Sequence, residues 1–180
     1  MKLFRLLSFL LVAFIGTPVS CSKTAEEKSV PAGKYSFSGE RHLKNLQMLT
    51  EDGENAEAYF SFDEKQLIFQ TTSAGLQCDQ IFAMNIDGSK KRMVSTGQGR
   101  TTCAYFLPGD ETLLYASTHV ADENCPPPPD RSHGYVWQLY SSYDIFLADR
   151  NGRIIKQMTT TEGYDAEATV SPKGDKIVFT

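Results

Sequence analysis

The sequence holds one tryptophan, four cysteines and no excess of basic charge: 18 Lys and Arg stand against 22 Asp and Glu, a formal net charge of -4 at pH 7. A phosphate-binding surface needs basic residues in excess, so nucleic acid is not an expected partner. The one long apolar run, Leu6–Ile15, is too short to span a bilayer as a mature helix. Beyond it no segment shows helical periodicity. No Gly-x-Ser-x-Gly elbow and no His-Glu-x-x-His helix occurs, so the chain is not read as an enzyme and no cofactor is expected. Gly97-Gln98-Gly99-Arg100-Thr101-Thr102 lacks the Gly-Lys-Ser/Thr ending of a phosphate loop and precedes a strand, where no helix N-terminus can hold an anion. What is abundant is aromatic: 11 Phe and 8 Tyr lean toward β structure.

The N-terminus reads as an export signal. Met1–Arg5 is a short basic start, Leu6–Ile15 an apolar core, and Ser20-Cys21 resembles a bacterial lipobox in which Cys21 becomes the lipidated first residue. Pro18 departs from the usual leucine there. The expected organisation is a lipoprotein-type signal peptide over residues 1–21, a polar tether over 22–40, and a folded domain over 41–180.

That domain is repetitive. Phe60–Phe69, Phe106–Tyr115 and Val170–Phe179 superpose without a gap: strand end, polar turn, apolar strand. Asp79–Gly88 matches Tyr143–Gly152, and Asp87-Gly88 and Asn151-Gly152 are strong hairpin signals because both residues tolerate positive φ. Phe60 and Phe106 are 46 residues apart, Phe106 and Val170 64, and the second unit carries 18 extra residues, whose removal restores the interval of 46. A constant period with four short strands per unit suits a propeller blade. The expected strands are 57–62, 66–71, 80–85 and 92–95 in blade one, 102–106, 112–117, 144–149 and 154–158 in blade two, and 166–170 and 176–180 in a partial blade three.

The pattern apolar-Ser-Pro-x-Gly-x-x-Ile-x-Phe, with Asp-Ile-Phe-x-x-Asp-x-x-Gly, resembles the TolB-like, WD40-like propeller repeat. Val170–Phe179 is the best match and Tyr143–Gly152 the next; blade one departs, with Phe62 and Glu64 in place of the Pro and Gly. The resemblance implies an all-β propeller of four-stranded blades, about six in number, of which this chain reads as an incomplete N-terminal fragment. It also implies protein–protein contacts in the periplasm. Leu46–Thr50 resembles Lys91–Ser95 and is expected as the outer strand of the last blade.

The tight turns are expected on one face and the long connections on the other, which gathers Ser73–Cys78, Thr96–Thr102 and the insertion within His119–Tyr143. Long loops on a rigid scaffold are where binding residues concentrate. The insertion carries Cys125, four consecutive prolines at 126–129, Arg131, His133, Tyr135 and Trp137. Its prolines form a stiff polyproline II segment, and its aromatic rings offer rigid contact area. It reads equally as a recognition loop or as a plug packed on its own blade. Arg100, Arg131, His133, Tyr135 and Trp137 are the candidate binding residues. Cys78 and Cys103, on adjacent blades near that face, are the expected disulfide, which leaves Cys125 free or otherwise paired. A metal site from Cys125, His119 and His133 fits no standard zinc spacing, and no metal is expected.

The function expected is a cell-envelope binding or scaffold module, exported and periplasmic or outer-membrane-associated. Its partners are other envelope proteins, with peptidoglycan or another glycan as a further ligand class, and it meets the membrane through the lipid anchor only. The alternative is the non-catalytic propeller of a longer secreted peptidase or hydrolase.

Overall fold

The computed structural model describes residues 35, 37, 39–73 and 75–180. The signal peptide, Cys21 and most of the tether lie outside the described residues. The chain divides into two units, Met1–Leu46 and Gln47–Thr180. In the first, the Glu40 carboxylate accepts the backbone N–H groups of His42 and Leu43 at 2.6 and 3.0 Å. The second holds every strand described below.

Two antiparallel four-stranded sheets and a two-stranded one follow each other in chain order. Blade one is β1 (Asn55–Phe60), β2 (Gln66–Thr71), β3 (Gln80–Asn85) and β4 (Arg92–Met93). Blade two is β5 (Thr101–Phe106), β6 (Thr112–Ser117), β7 (Asp144–Asp149) and β8 (Ile154–Gln157). β9 (Thr169–Val170) pairs with β10 (Ile177–Val178) as the start of blade three. Strand order within each full sheet is sequential, so hairpins and loops make every connection. The architecture is all-β, as the period requires.

Alternation along each strand sorts the core. Tyr59 pairs with Ile68, and Ile68 with Ala83, so these share the face of blade one that meets blade two. Opposite them stand Phe106, Leu113 and Ala148, likewise paired in a row across β5, β6 and β7. With Ile81, Val94, Ala104, Tyr115 and Phe146 they form the main buried cluster between the two sheets. Removing one large side chain from such a cluster costs about 3–5 kcal/mol. Leu114 and Ile145, on the other face of blade two, pack with Leu107 of the same blade and with Ala168 and Ile177 of the next unit.

The outer strands are short because side chains complete the ladder. The Ser95 hydroxyl accepts the Ile81 N–H at 3.0 Å, and the Thr159 hydroxyl accepts the Ile145 N–H at 3.0 Å. Each hydroxyl donates in turn to a third-strand residue, Ser95 to Gln80 and Thr159 to Asp144. These residues occupy equivalent positions of the repeat, so one capping device recurs. It also explains Asp144, which accepts from Gln157 as well as Thr159.

Gln47–Thr50 forms no strand, in contrast to the closing strand expected there. It pairs with no neighbour. Leu49 instead packs on Leu67, Phe69 and Met84, the face of blade one turned away from blade two. The tight turns do gather at one end. The Asp110 carboxylate accepts the Phe62 and Asp63 N–H groups at 2.8 and 3.0 Å, and Gly174 lies against the Pro108 ring.

Candidate functional site

At the opposite end, the long connections and the first strands enclose a cavity of about 610 Å³. Its wall is built from the repeat. Glu57, Cys103 and Glu167 occupy equivalent positions, and all three line it. All three also have positive φ, 51°, 52° and 55°. β1 and β5 each carry a register shift at this point, between Ala56 and Tyr59 and between Thr102 and Tyr105. A bulge re-aims side chains and frees ladder groups. The N–H of Cys103 is taken by the Gln70 side-chain oxygen at 3.2 Å, which also accepts the Thr102 hydroxyl at 2.7 Å. Three residues earlier in each unit stand Glu54, Arg100 and Tyr164, also equivalent and also in the lining. Each blade thus adds two residues to the lining: Glu54 and Glu57, Arg100 and Cys103, and Tyr164 and Glu167.

Arg100 crosses the cavity wall. Its Nε lies 3.7 Å from an Asp79 oxygen, and its guanidinium sits 5.7 Å from the Tyr140 ring centroid. Burial pushes the Asp79 carboxyl up, against the pull of the Arg100 charge. Burial also raises the Cys103 thiol, and the Glu57 and Glu167 carboxylates raise it further, so it stays protonated. Tyr143 and Tyr164 are raised chiefly by burial. Tyr164 sits between the Trp137 indole and the Glu167 carboxylate. Tyr140, Tyr143 and Tyr164 form a run of rings, with centroids 6.2 and 5.6 Å apart, the second pair edge to face.

The disulfide joins Cys78 to Cys125, with Cα atoms 5.9 Å apart, and Cys103 is a free, buried thiol. This corrects the expected Cys78–Cys103 pairing. Neighbouring blades bring both of those cysteines to the cavity, but the bulge turns the Cys103 sulfur toward the Thr102 hydroxyl, 3.1 Å away. The insertion meanwhile crosses back onto blade one and delivers Cys125 to the β2–β3 connection. With its sulfur in a disulfide, Cys125 is not available as a thiolate metal ligand.

The insertion both packs and presents. The Gly99 N–H donates to the Glu123 carbonyl at 2.8 Å, and the Tyr140 hydroxyl donates to the Pro127 carbonyl at 2.6 Å. Gln80 anchors the facing connection, donating to the Gly99 carbonyl and accepting the Gly97 N–H. Of the candidate binding residues read from the sequence, Arg100, Arg131 and Trp137 line the cavity, as do Cys78 and Cys103. Trp137 remains 59% exposed. Tyr135 and His133 stay outside the lining: Tyr135 is on the rim beneath the Arg131 guanidinium, 5.6 Å from its centroid, and His133 is exposed. His119 lies in the turn two residues past β6, with its ring against Phe146 and its Nδ1 2.8 Å from the Ser117 hydroxyl. Glu54, Glu57, Tyr140, Tyr143, Tyr164 and Glu167 were not singled out. The signal that finds Glu54, Glu57, Tyr164 and Glu167 is the interval itself, applied to the first strands.

A TolB crystal structure from Acinetobacter baumannii superposes with a TM-score of 0.52 at 22% identity, over 74% of this chain and 28% of that one. A TolB-type structure from Agrobacterium tumefaciens gives 0.52 at 17% identity, over 73% of this chain and 45% of that one. The fold is TolB-like. The chain spans less than half the length of either TolB structure. No family model matches the sequence, and no curated protein does. In the TolB-like frame the first strand of each blade lies innermost, which sets Glu57, Cys103 and Glu167 toward the propeller axis and the cavity at its mouth.

Proposed function

We propose that this chain is an exported, non-catalytic binding module that presents the long-loop end of its blades to a protein partner in the cell envelope. The observation that carries this reading is the cavity strapped by the Cys78–Cys125 disulfide. A rigid scaffold holds aromatic and charged side chains at its mouth, and Trp137, a residue type enriched at binding hot spots, stands exposed beside it. A disulfide suits an oxidising compartment, which supports export, and Cys21 would supply the membrane anchor. The Cys103 thiol is held protonated by burial, which speaks for binding over nucleophilic catalysis.

The test is photo-crosslinking in intact cells from a benzophenone side chain at position 137, compared with one at the exposed Asp63 of the tight-turn end. Discrete protein adducts from 137 that are absent from 63 support the reading. Equal adducts from both positions, or none from 137, refute it. Labelled palmitate incorporated in the parent and lost in Cys21→Ser tests the anchor.

A further inference from the structure

The lining of the axial cavity is unbalanced in charge and walled by rings. Glu54, Glu57, Asp79 and Glu167 face two guanidinium groups, those of Arg100 and Arg131. Arg100 is already engaged, by Asp79 and by the Tyr140 ring. Arg131 lies over Tyr135, which is outside the lining. None of Glu54, Glu57 and Glu167 takes part in an ion pair among the described residues. The same lining carries Trp137, Tyr140, Tyr143 and Tyr164, and the Tyr164 hydroxyl lies beside the Glu167 carboxylate. Aromatic faces carry negative potential and attract cations, and carboxylates gathered in a cleft act in the same direction. An anion entering this space meets the carboxylates and the ring faces. A neutral apolar group would bury carboxylates without a counter-charge, which is costly. A long side chain with an apolar stem and a cationic head satisfies both kinds of lining residue, the stem against the rings and the head among the carboxylates.

We propose that the cavity receives a lysine or arginine side chain from an extended segment of the partner protein. The proposal deepens the binding reading above and rests on it.

The sequence supplies its own reporter. Trp137 is the only tryptophan, so fluorescence excited at the red edge of the absorption band, where tyrosine does not absorb, reads this cavity alone. The full chain is titrated with short Gly/Ser peptides that carry one central lysine, arginine, glutamate or norleucine. Saturable fluorescence change is expected with the lysine and arginine peptides, with affinity at least about 10-fold above the other two. Raising the salt weakens binding, because screening acts on charge pairs. Glu54→Gln with Glu167→Gln lowers lysine-peptide affinity by about 10-fold. Arg131→Gln, at an exposed position that does not threaten the fold, raises it by removing a competing cation. Equal affinity for the glutamate or norleucine peptide, tighter binding of a neutral muropeptide, no response at millimolar peptide, or charge variants that leave affinity unchanged would each overturn the proposal. Failure here with position 137 still cross-linking leaves the binding module standing and rejects only the basic side chain. Loss of the crosslinks rejects the module itself.

Discussion

Cutting the Cys78–Cys125 bridge should cost this protein much of its stability. The two cysteines are 47 residues apart in sequence. In the chain-entropy model a closed loop of that size removes about 4 kcal/mol of freedom from the unfolded state. The enclosed segment contains β3 through β6, and with them Ile81, Val94, Ala104, Phe106, Leu113 and Tyr115 of the main core. The constraint therefore acts on the inter-blade core as well as on the insertion. Whole domains are stable by about 5–15 kcal/mol, so the loss is a large share. The comparison is Cys78→Ser with Cys125→Ser against the parent, both with Cys103→Ser to remove the buried thiol from exchange. Urea unfolding is followed by Trp137 fluorescence, which reports the insertion, and by far-UV circular dichroism, which reports the strands. With m-values of about 1–3 kcal/mol/M, both midpoints should fall by about 2 M. A fall in the fluorescence midpoint alone would mean that the bridge only straps a loop, and the entropy reasoning would be refuted.

Three further outcomes follow from single positions. Tyr115 is fully buried, and among the described residues no group hydrogen-bonds its hydroxyl. The equivalent positions in the repeat hold Phe69 and Phe179, so Tyr115→Phe should stabilise by about 1 kcal/mol, read as a rise in the urea midpoint. A Cβ on Gly152, at φ +90°, would lie 2.7 Å from the Val94 backbone. Gly152→Ala should therefore destabilise by about 2–4 kcal/mol, checked by thermal melting, while Gly109→Ala, where no atom lies within 4 Å of the added Cβ, should cost less. His119 has its pKa lowered by burial, partly offset by Asp144. The unfolded chain then binds the proton more readily, so stability falls as pH drops below about 6.5 toward the folded value. His119→Gln should flatten that slope in urea midpoints measured between pH 5 and 7.

The interior strands were legible residue for residue. Gln66–Thr71, Gln80–Asn85, Thr112–Ser117 and Asp144–Asp149 run as the alternation predicts, because strands with neighbours on both sides carry the apolar signal on both faces. The fourth strands end earlier than expected, since Ser95 and Thr159 replace ladder bonds with hydroxyls. The first strands of blades one and two begin two residues and one residue earlier than expected, and their bulges were invisible, whereas in blade three the first strand begins three residues later and the second is only Ile177–Val178. The bulges in β1 and β5 place Glu57 and Cys103 at positive φ, a conformation of which those residue types give no compositional hint. The disulfide was misread for a related reason. Blade adjacency brings Cys78 and Cys103 toward one cavity, but the direction of the Cys103 side chain depends on that bulge. Leu46–Thr50 resembled a strand because Leu49 is apolar, and Leu49 is indeed used, but as a lid on Leu67 and Phe69 and not in a ladder.

The site was half legible because two kinds of signal mark it. Trp137 and Arg131 stand out as departures from the repeat, residues in an insertion that no blade requires. Glu54, Arg100 and Tyr164, and again Glu57, Cys103 and Glu167, are the reverse: positions the repeat holds fixed while their chemistry changes from acid to base, phenol or thiol. If they served only the fold, similar residues would suffice at each place, as Ile68, Leu114 and Val178 do in the second strands. Variation at a position whose side chain opens on the axis is what a ring of distinct contacts requires. The exchange Glu54→Arg with Arg100→Glu keeps net charge and composition constant. Because Arg100→Glu also takes the partner from Asp79, affinity is read on protein shown folded by circular dichroism, and there a merely structural wall should keep peptide affinity unchanged. A ring that distinguishes its ligand should lose lysine-peptide affinity, because the exchange moves the cation from position 100 to position 54 and takes a carboxylate from the latter.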